Sequence, residues 1–455
     1  MEFLWLLLLF AIIVFWFAAI KRPMYEAVMI AFFSVAILSG HFGDIFSYLK
    51  NAMNSYLLFT LLCFMAFSTV VEKTGLINDF IDIIASLVGK FSGGAGYVAV
   101  VASSAFGSIS GTGPGNAAAV GCIVIPAMKK TGFSSELAAS VVMASSALGV
   151  VIPPSGTVVV CYAFLTELYP DACTFSQFWM IMWGVSFVFI LQRIITLFVL
   201  IKREHIAPIP KENRPHFKQA LKKGWKALFL PILVFLPFCL DALYNETFIA
   251  ARIGLENAST FTNTLLVLVP SVAVAYVLLV HASNGTHVSL RFVHDMFLDT
   301  VSSIAPTVFL VVFGFAIGNM FNDIQFGAAV THLTSSMDLS LWAVVIIVPL
   351  VLCIMGMFLE VMTITMLITT PLILIGVSVG INPILMAAMC SVMVAAMGHM
   401  TPPFALTFYV AMGIAESDFA KTTKMAVIWC VGQYVLTVLV LLSIVPIPGM
   451  VPFTP

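Results

Sequence analysis

Charge is scarce in this chain of 455 residues: only 9 % are Asp, Glu, Lys or Arg, and the formal net charge is −1. Binding to nucleic acid needs a basic stripe or patch, and none exists outside the loops, so no nucleic-acid partner is expected. Cysteine is sparse and scattered. The eight residues sit mostly inside apolar segments, with no Cys-x-x-Cys pair. That pattern argues against disulfides or a cysteine metal site, and for small packing residues. Strand-length alternation of apolar and polar residues is also missing, which argues against a transmembrane β-barrel.

Apolar residues fill the space that charge leaves. They make up 61 % of the chain, and the mean hydropathy is +1.10. The runs Phe3–Ile20, Met180–Ile201, Leu265–Val280 and Met425–Val445 are long enough, or nearly so, to cross a bilayer as helices. The first has the length of a signal peptide. Lys21 and Arg22 follow it and no small-residue cleavage site is evident, so it reads as a retained span. At about 20 apolar residues per span, the chain predicts one all-α polytopic unit of roughly ten spans with some half-spans.

The few basic residues orient those spans. Lys202, Arg203, Lys211, Arg214, Lys218, Lys222, Lys223 and Lys226 crowd the 202–226 linker, against Glu204 and Glu212. The positive-inside rule makes that linker cytoplasmic. Threading outward from it puts both termini outside. Lys129 and Lys130 fall inside, Lys50 and Arg252 outside, and Arg193 within a span.

Against this background the stretch "GSISGTGPGNAAAVG" (107–121) stands out, with five glycines in fifteen residues. It has a counterpart. At an offset of 249 residues "LGVVIPPSG" (148–156) falls on "MGHMTPPFA" (397–405), and Gly107 then meets Gly356, Gly149 meets Gly398, and Pro153–Pro154 meets Pro402–Pro403. Each half reads as a span (56–71, 300–318), an amphipathic stretch (76–90, 323–337), a hairpin that breaks at small residues (95–128, 342–375) and a helix interrupted by Pro-Pro (134–168, 383–415). In the threading above, the first hairpin enters from inside and the second from outside. This is an inverted-topology repeat with two re-entrant hairpins, an architecture of secondary transporters. The predicted organisation is 1–55 scaffold spans, 56–175 first repeat, 176–299 scaffold spans, 300–416 second repeat and 417–455 a C-terminal span. Gly and Pro are common in membrane helices for packing reasons alone. Two matched breaks at one offset favour a site.

Interrupted helices leave free carbonyls at one end and free amides at the other. Carbonyls suit a dehydrated cation; amides suit an anion. In the first half Ser108, Ser110, Thr112 and Asn116 offer side-chain oxygens beside the backbone of Gly111, Gly113 and Gly115, with the Gly149–Ser155 break, including Pro153, closing the cage. The second half offers Gly356, Glu360, Thr363 and Thr365 against Gly398, His399, Thr401 and Pro402. The expectation is two related sodium sites flanking a substrate site on Ser110, Asn116, Ser155, Thr363 and His399. Glu360 reads either as a ligand or as a partner to backbone amides, and His399 either as functional or as a neutral packing residue. No arginine lies in these segments, so an anion would rest on helix ends and hydroxyls.

"GSISGTGPGNAAAVGCIVIPAMKKTGF", "SSALGVVIPPSG", "GMFLE" and "MTPPFAL" followed by "YVAMGIA" resemble the large membrane subunit of tripartite ATP-independent periplasmic (TRAP) transporters of the dicarboxylate type. The resemblance covers essentially the whole chain. It implies a sodium-driven importer of small organic anions in the bacterial inner membrane, surrounded by membrane lipid and working by an elevator movement. It also implies two partners: a small four-helix membrane subunit, expected as a separate chain, and a periplasmic substrate-binding protein. The cation sites would fall on Ser108–Asn116, Gly356–Thr365, Gly149–Ser155 and Gly398–Pro403. Family members often carry an acid where Glu360 stands, while "TGPGN" departs from the commoner first tip. Two rivals fit less well. An intramembrane serine hydrolase would use Ser110 with His399 as base, but Ser108 stands where a Gly-x-Ser-Gly motif needs glycine. An ion channel could use glycine-lined hairpins as a filter, yet paired broken helices suit alternating access better.

Overall fold

The computed structural model describes residues 2–283, 289–326, 328, 339–359, 361–402 and 405–450. All regular structure among them is helical. Three helices lead in, α1 (Glu2–Ala18), α2 (Met24–Leu38) and α3 (Ile45–Met53). The first repeat follows as α4 (Tyr56–Thr74), α5 (Leu76–Val88), α6 (Gly94–Ser110), α7 (Gly113–Lys130), α8 (Ser135–Gly149) and α9 (Gly156–Leu168). Then come the long α10 (Phe175–Glu204), α11 (Phe217–Tyr244) and α12 (Leu255–Ser283). The second repeat runs through α13 (Leu290–Asp323), α14 (Leu341–Phe358), α15 (Val361–Ser378), α16 (Pro383–Ser391) and α17 (Leu406–Ala415), before α18 (Phe419–Leu441) ends the bundle. Eight helices among the described residues are long and apolar enough to cross a membrane, and seven shorter apolar helices accompany them.

Local chemistry sets the boundaries. Gly75, left-handed at φ 67°, ends α4 and turns the chain into amphipathic α5, a conformation glycine adopts without strain. Ser134, Thr174, Ser340, Asn382 and Asp418 each cap a helix start by accepting a backbone N–H, and Thr174 with Gln177 closes a full capping box,. The basic linker is anchored too: Lys223 pairs with Asp79 of α5 at 2.8 Å. Lys129 donates to the Ala415 carbonyl at 3.0 Å, where a cation meets the negative end of α17. It thereby ties the first hairpin to the second broken helix.

The structure modifies the sequence reading in two places. The expected boundary at 299/300 falls inside the continuous helix α13. The second interruption also begins before its prolines: after Ser391 the winding loosens into a π turn (Val392–Met397) and then tightens into a 3-10 turn (Gly398–Met400). The second amphipathic stretch lies largely outside the described residues.

Helix ends 130 and 378 are both exposed and repeat-related, which makes the inverted orientation measurable. Lys130→Cys and Ser378→Cys, each in a background free of native cysteines, should respond oppositely to an impermeant thiol reagent on intact cells. Ser378→Cys should label and Lys130→Cys should not. Equal labelling of both would contradict opposed hairpins.

Candidate functional site

The first hairpin turns in two residues. Gly111, left-handed at φ 65°, caps α6 by donating its N–H to the Gly107 carbonyl, and extended Thr112 starts α7, with Pro114 in its first turn. A proline there costs no hydrogen bond, because the first amides of a helix have no partner within it. The first broken helix stops at Gly149 and restarts at Gly156 across a cis Pro153–Pro154 peptide.

Hairpin and broken helix cross where both carry glycine. A Cβ at Gly149 would lie 2.6 Å from the Ser103 carbonyl oxygen and 2.7 Å from the Gly107 Cα. The second half repeats the crossing: a Cβ at Gly356 would lie 2.5 Å from the Gly398 Cα. These are the two glycine pairs related by 249 residues in sequence. Only backbones without side chains can approach so closely.

Asn116 sits in the first crossing. It is fully buried, and its Nδ2 donates to the Ser103 carbonyl at 2.7 Å and the Ser146 carbonyl at 3.4 Å. Its Oδ1 has no hydrogen-bond partner, and neither do the buried hydroxyls of Ser104, Ser145 and Ser155. Four neutral side-chain oxygens without partners thus belong to the elements around one crossing. Buried polar atoms normally find partners. Oxygens of this kind fit a hard cation, and among the described residues no cluster of three or more His, Cys, Asp or Glu offers a different metal chemistry,.

Ser110 occupies a different place. With Gly111, Thr112, Gly115, Pro154 and Thr157 it lines a cavity of about 150 Å³, closed on the other side by Ser68, Thr69 and Glu72 of α4 and by Met362 of the second hairpin. Hydroxyls and one carboxylate face this space, and no basic side chain does. The residues grouped at the tip thus separate in space: Asn116 lies in the crossing and Ser110 lines the cavity. Ser108 belongs to neither. Its hydroxyl donates to the Ala105 carbonyl at 2.8 Å, and it faces an apolar cavity on the opposite side of α6. Two residues span about 200° of a helix, so alternate serines cannot share a face.

The second half is less polar. At the repeat offset Ser103, Asn116 and Ser146 become Leu352, Thr365 and Ala395. Thr365 is buried and donates to the Val361 carbonyl at 2.8 Å within its own helix. Thr401 donates to the Met397 carbonyl at 2.6 Å and meets the Cys353 thiol at 3.1 Å. Thr363 is buried, and Pro402 lies in a turn of the second interruption. Glu360 and Pro403 lie outside the described residues. His399 turns toward the first hairpin: a Cβ at Gly113 would fall 2.9 Å from its Nδ1 and 2.6 Å from the Thr407 hydroxyl, and neither atom has a hydrogen-bond partner.

Sequence reasoning passed over Arg193. Carried on α10 and fully buried, it donates to the Ala144 carbonyl of α8 at 3.2 Å, to the side chains of Gln192 and Gln433, and to the Met400 sulfur at 3.7 Å. It touches both broken helices, and among the described residues no carboxylate pairs with it. The signal was an arginine in the apolar middle of a 30-residue helix, which by default marks a functional position.

Residues 3–447 match the sequence profile of the tripartite ATP-independent periplasmic transporter DctM component. The chain belongs to that family. The large permease of the C4-dicarboxylate TRAP transporter of Vibrio cholerae is 27 % identical over 408 residues, 85 % of this chain and 83 % of that one. Its Rhodobacter capsulatus counterpart is 27 % identical, covering 82 % and 81 %. The 2,3-diketo-L-gulonate TRAP large permease of Escherichia coli is 23 % identical, covering 83 % and 82 %. Two solved structures share the fold. The Alcanivorax borkumensis YdaH transporter has a TM-score of 0.62 at 14 % identity over 88 % of each chain. Neisseria gonorrhoeae MtrF has 0.59 at 12 %, covering 89 % of this chain and 85 % of its own. This TRAP permease is thus a multi-pass protein of the bacterial inner membrane.

The crossings can be tested directly. Gly149→Ala and Gly398→Ala place a methyl group against backbone that has no flexible end to yield, and each should cost about 1–3 kcal/mol, as overpacking does. Gly413→Ala, with nothing within 4 Å of the added carbon, should be neutral. Thermal denaturation followed by size-exclusion chromatography reads the difference. Equal melting of all three variants would refute the close crossing.

Proposed function

We propose that this TRAP permease is the large subunit of a sodium-coupled, binding-protein-dependent importer of small organic anions, with carboxylates as its substrate class. The observation that carries the proposal is the pairing of two unlike sites at one hairpin. Unpartnered oxygens belong to the elements that form the Gly107–Gly149 crossing, and a cavity that Ser110, Thr112 and Thr157 help to line lies beside the tip. Relatives named for C4-dicarboxylate and 2,3-diketo-L-gulonate support an organic acid as cargo.

On this reading Asn116, Ser104, Ser145 and Ser155 supply neutral oxygens to sodium, with carbonyls of the Gly149–Pro153 break completing its shell. Ser110, Thr112 and Thr157 donate hydrogen bonds to the anion, and the amides at the start of α7 add their dipole. Bound sodium contributes the positive charge that the cavity's side chains lack, so cation and anion favour each other's binding. A second cation would rest on Thr363 and the carbonyls near Gly398, Thr401 and Pro402. It should be weaker, because Leu352 and Ala395 stand where the first half has serines. The two hairpins and two broken helices would travel as one body against the remaining helices, in an elevator movement. A small four-helix membrane subunit and a periplasmic binding protein that delivers the anion would complete the transporter.

Losing one neutral ligand from a desolvated site costs about 1–3 kcal/mol, or about 5- to 150-fold in affinity. Asn116→Ala should therefore raise the sodium concentration for half-maximal uptake by that order, and Thr363→Ala should raise it less. Ser110→Ala should chiefly raise the substrate KM. The measurement is a sodium titration of uptake in proteoliposomes holding the complete complex. Wild-type sodium dependence in Asn116→Ala would refute the cation assignment.

A further inference from the structure

On the side of α6 that Ser108 faces, a cavity of about 410 Å³ separates the first hairpin and the Pro153–Pro154 break from α10 and α11. Its wall is almost wholly aliphatic and aromatic, with Phe67, Phe106, Leu230 and Phe235 among the lining residues. Ser108 already spends its hydroxyl on the Ala105 carbonyl. Water needs two or more polar partners to occupy such a space and finds almost none here. Close-packed interiors do not hold open voids of this size, since wall atoms without neighbours forfeit their dispersion contacts.

One side of the cavity gives onto the outer surface of α11. Ile232 and Leu236 line it and are themselves 51 % and 48 % exposed. The same exposed row continues up the helix through Leu240 and Leu243. In an inner-membrane protein that row faces hydrocarbon, so the cavity is continuous with the bilayer. At its wall stand Trp179 and Trp183, whose indole N–H groups have no acceptor among the described residues.

We propose that this seam is a lipid site, occupied by one acyl chain of a membrane phospholipid inserted sideways from the bilayer between α11 and the first hairpin. The occupant touches Ile109 at the hairpin tip and Pro153–Pro154 at the break, the elements that carry the polar sites. Lipid composition thereby reaches the transport machinery through direct contact. The inference needs only that the chain resides in a bilayer, and it stands whether or not sodium drives transport.

Trp179 is 1 % exposed, so bilayer lipid can touch it only by entering the seam. The test places the full chain in nanodiscs of phosphatidylcholine with bromine atoms at mid-chain, after replacing Trp5, Trp16, Trp225, Trp342 and Trp429 by Phe. The remaining emission from Trp179 and Trp183 should be quenched relative to unbrominated lipid. Ala105→Leu on the hairpin and Ala227→Leu on α11 fill the cavity from opposite walls. Each should reduce the quenching by about twofold or more, because bromine acts at contact range. Monodisperse elution confirms that each variant is folded, and either filler suffices. Absence of quenching, or quenching unchanged by both fillers, overturns the lipid site. So does its loss when a tryptophan-free small subunit is added, which would make a protein surface the occupant.

Discussion

A helix that stops inside a bilayer exposes backbone groups where no water can satisfy them, and most of this architecture answers that constraint. Each interruption is braced by a second helix brought to backbone contact through glycine. At Gly107–Gly149 and Gly356–Gly398 the chains approach to distances that no Cβ would permit. The close approach lets Asn116 reach the carbonyls of both Ser103 and Ser146 from a third helix. The crossing is thus a support for the broken ends and also the place where carbonyls and side-chain oxygens converge.

The two halves solve the same steric problem with different chemistry. Glycine is kept at both crossings because geometry demands it. The polar residues around them are only partly kept: at the repeat offset Ser103 and Ser146 give way to Leu352 and Ala395, while Asn116 is replaced by the shorter polar Thr365. Buried hydroxyls without partners are costly unless something binds them, and Ser104, Ser145 and Ser155 are three such hydroxyls in the first half. Cross-links between the halves keep the difference functional. His399 lies against Gly113 and Lys129 caps α17, which brings the second broken helix onto the first hairpin.

Much of this could be read from the residues alone. Helix breakers recurring at one offset exposed the repeat, the hairpins and the interruptions, because glycine and proline act on the backbone directly and leave a mark in sequence. The site was legible only in outline. Ser108, Ser110 and Asn116 were grouped by proximity along the chain, whereas α6 continues to Ser110 and its pitch sends the two serines to opposite sides. Asn116 enters α7 one turn after the tip, and its partners lie 13 and 30 residues away. No spacing rule connects it with Ser103 or Ser146. Arg193 was visible as a lone charge in an apolar span, but which elements it would touch depended on how α10 packs.

Arg193 also shows why neutral oxygens, and not acids, dominate around the described breaks. Its guanidinium is held by a backbone carbonyl, two glutamines and a thioether, acceptors that satisfy its N–H groups without cancelling its charge. A carboxylate nearby would form a tight pair, and breaking or shifting such a pair in low dielectric is expensive. Neutral acceptors leave a diffuse positive field between the two broken helices. That field opposes a cation resting there alone and favours one that arrives with an anion, provided both lie within its unscreened reach. Under the proposed sodium coupling, the buried arginine would therefore disfavour sodium bound without cargo.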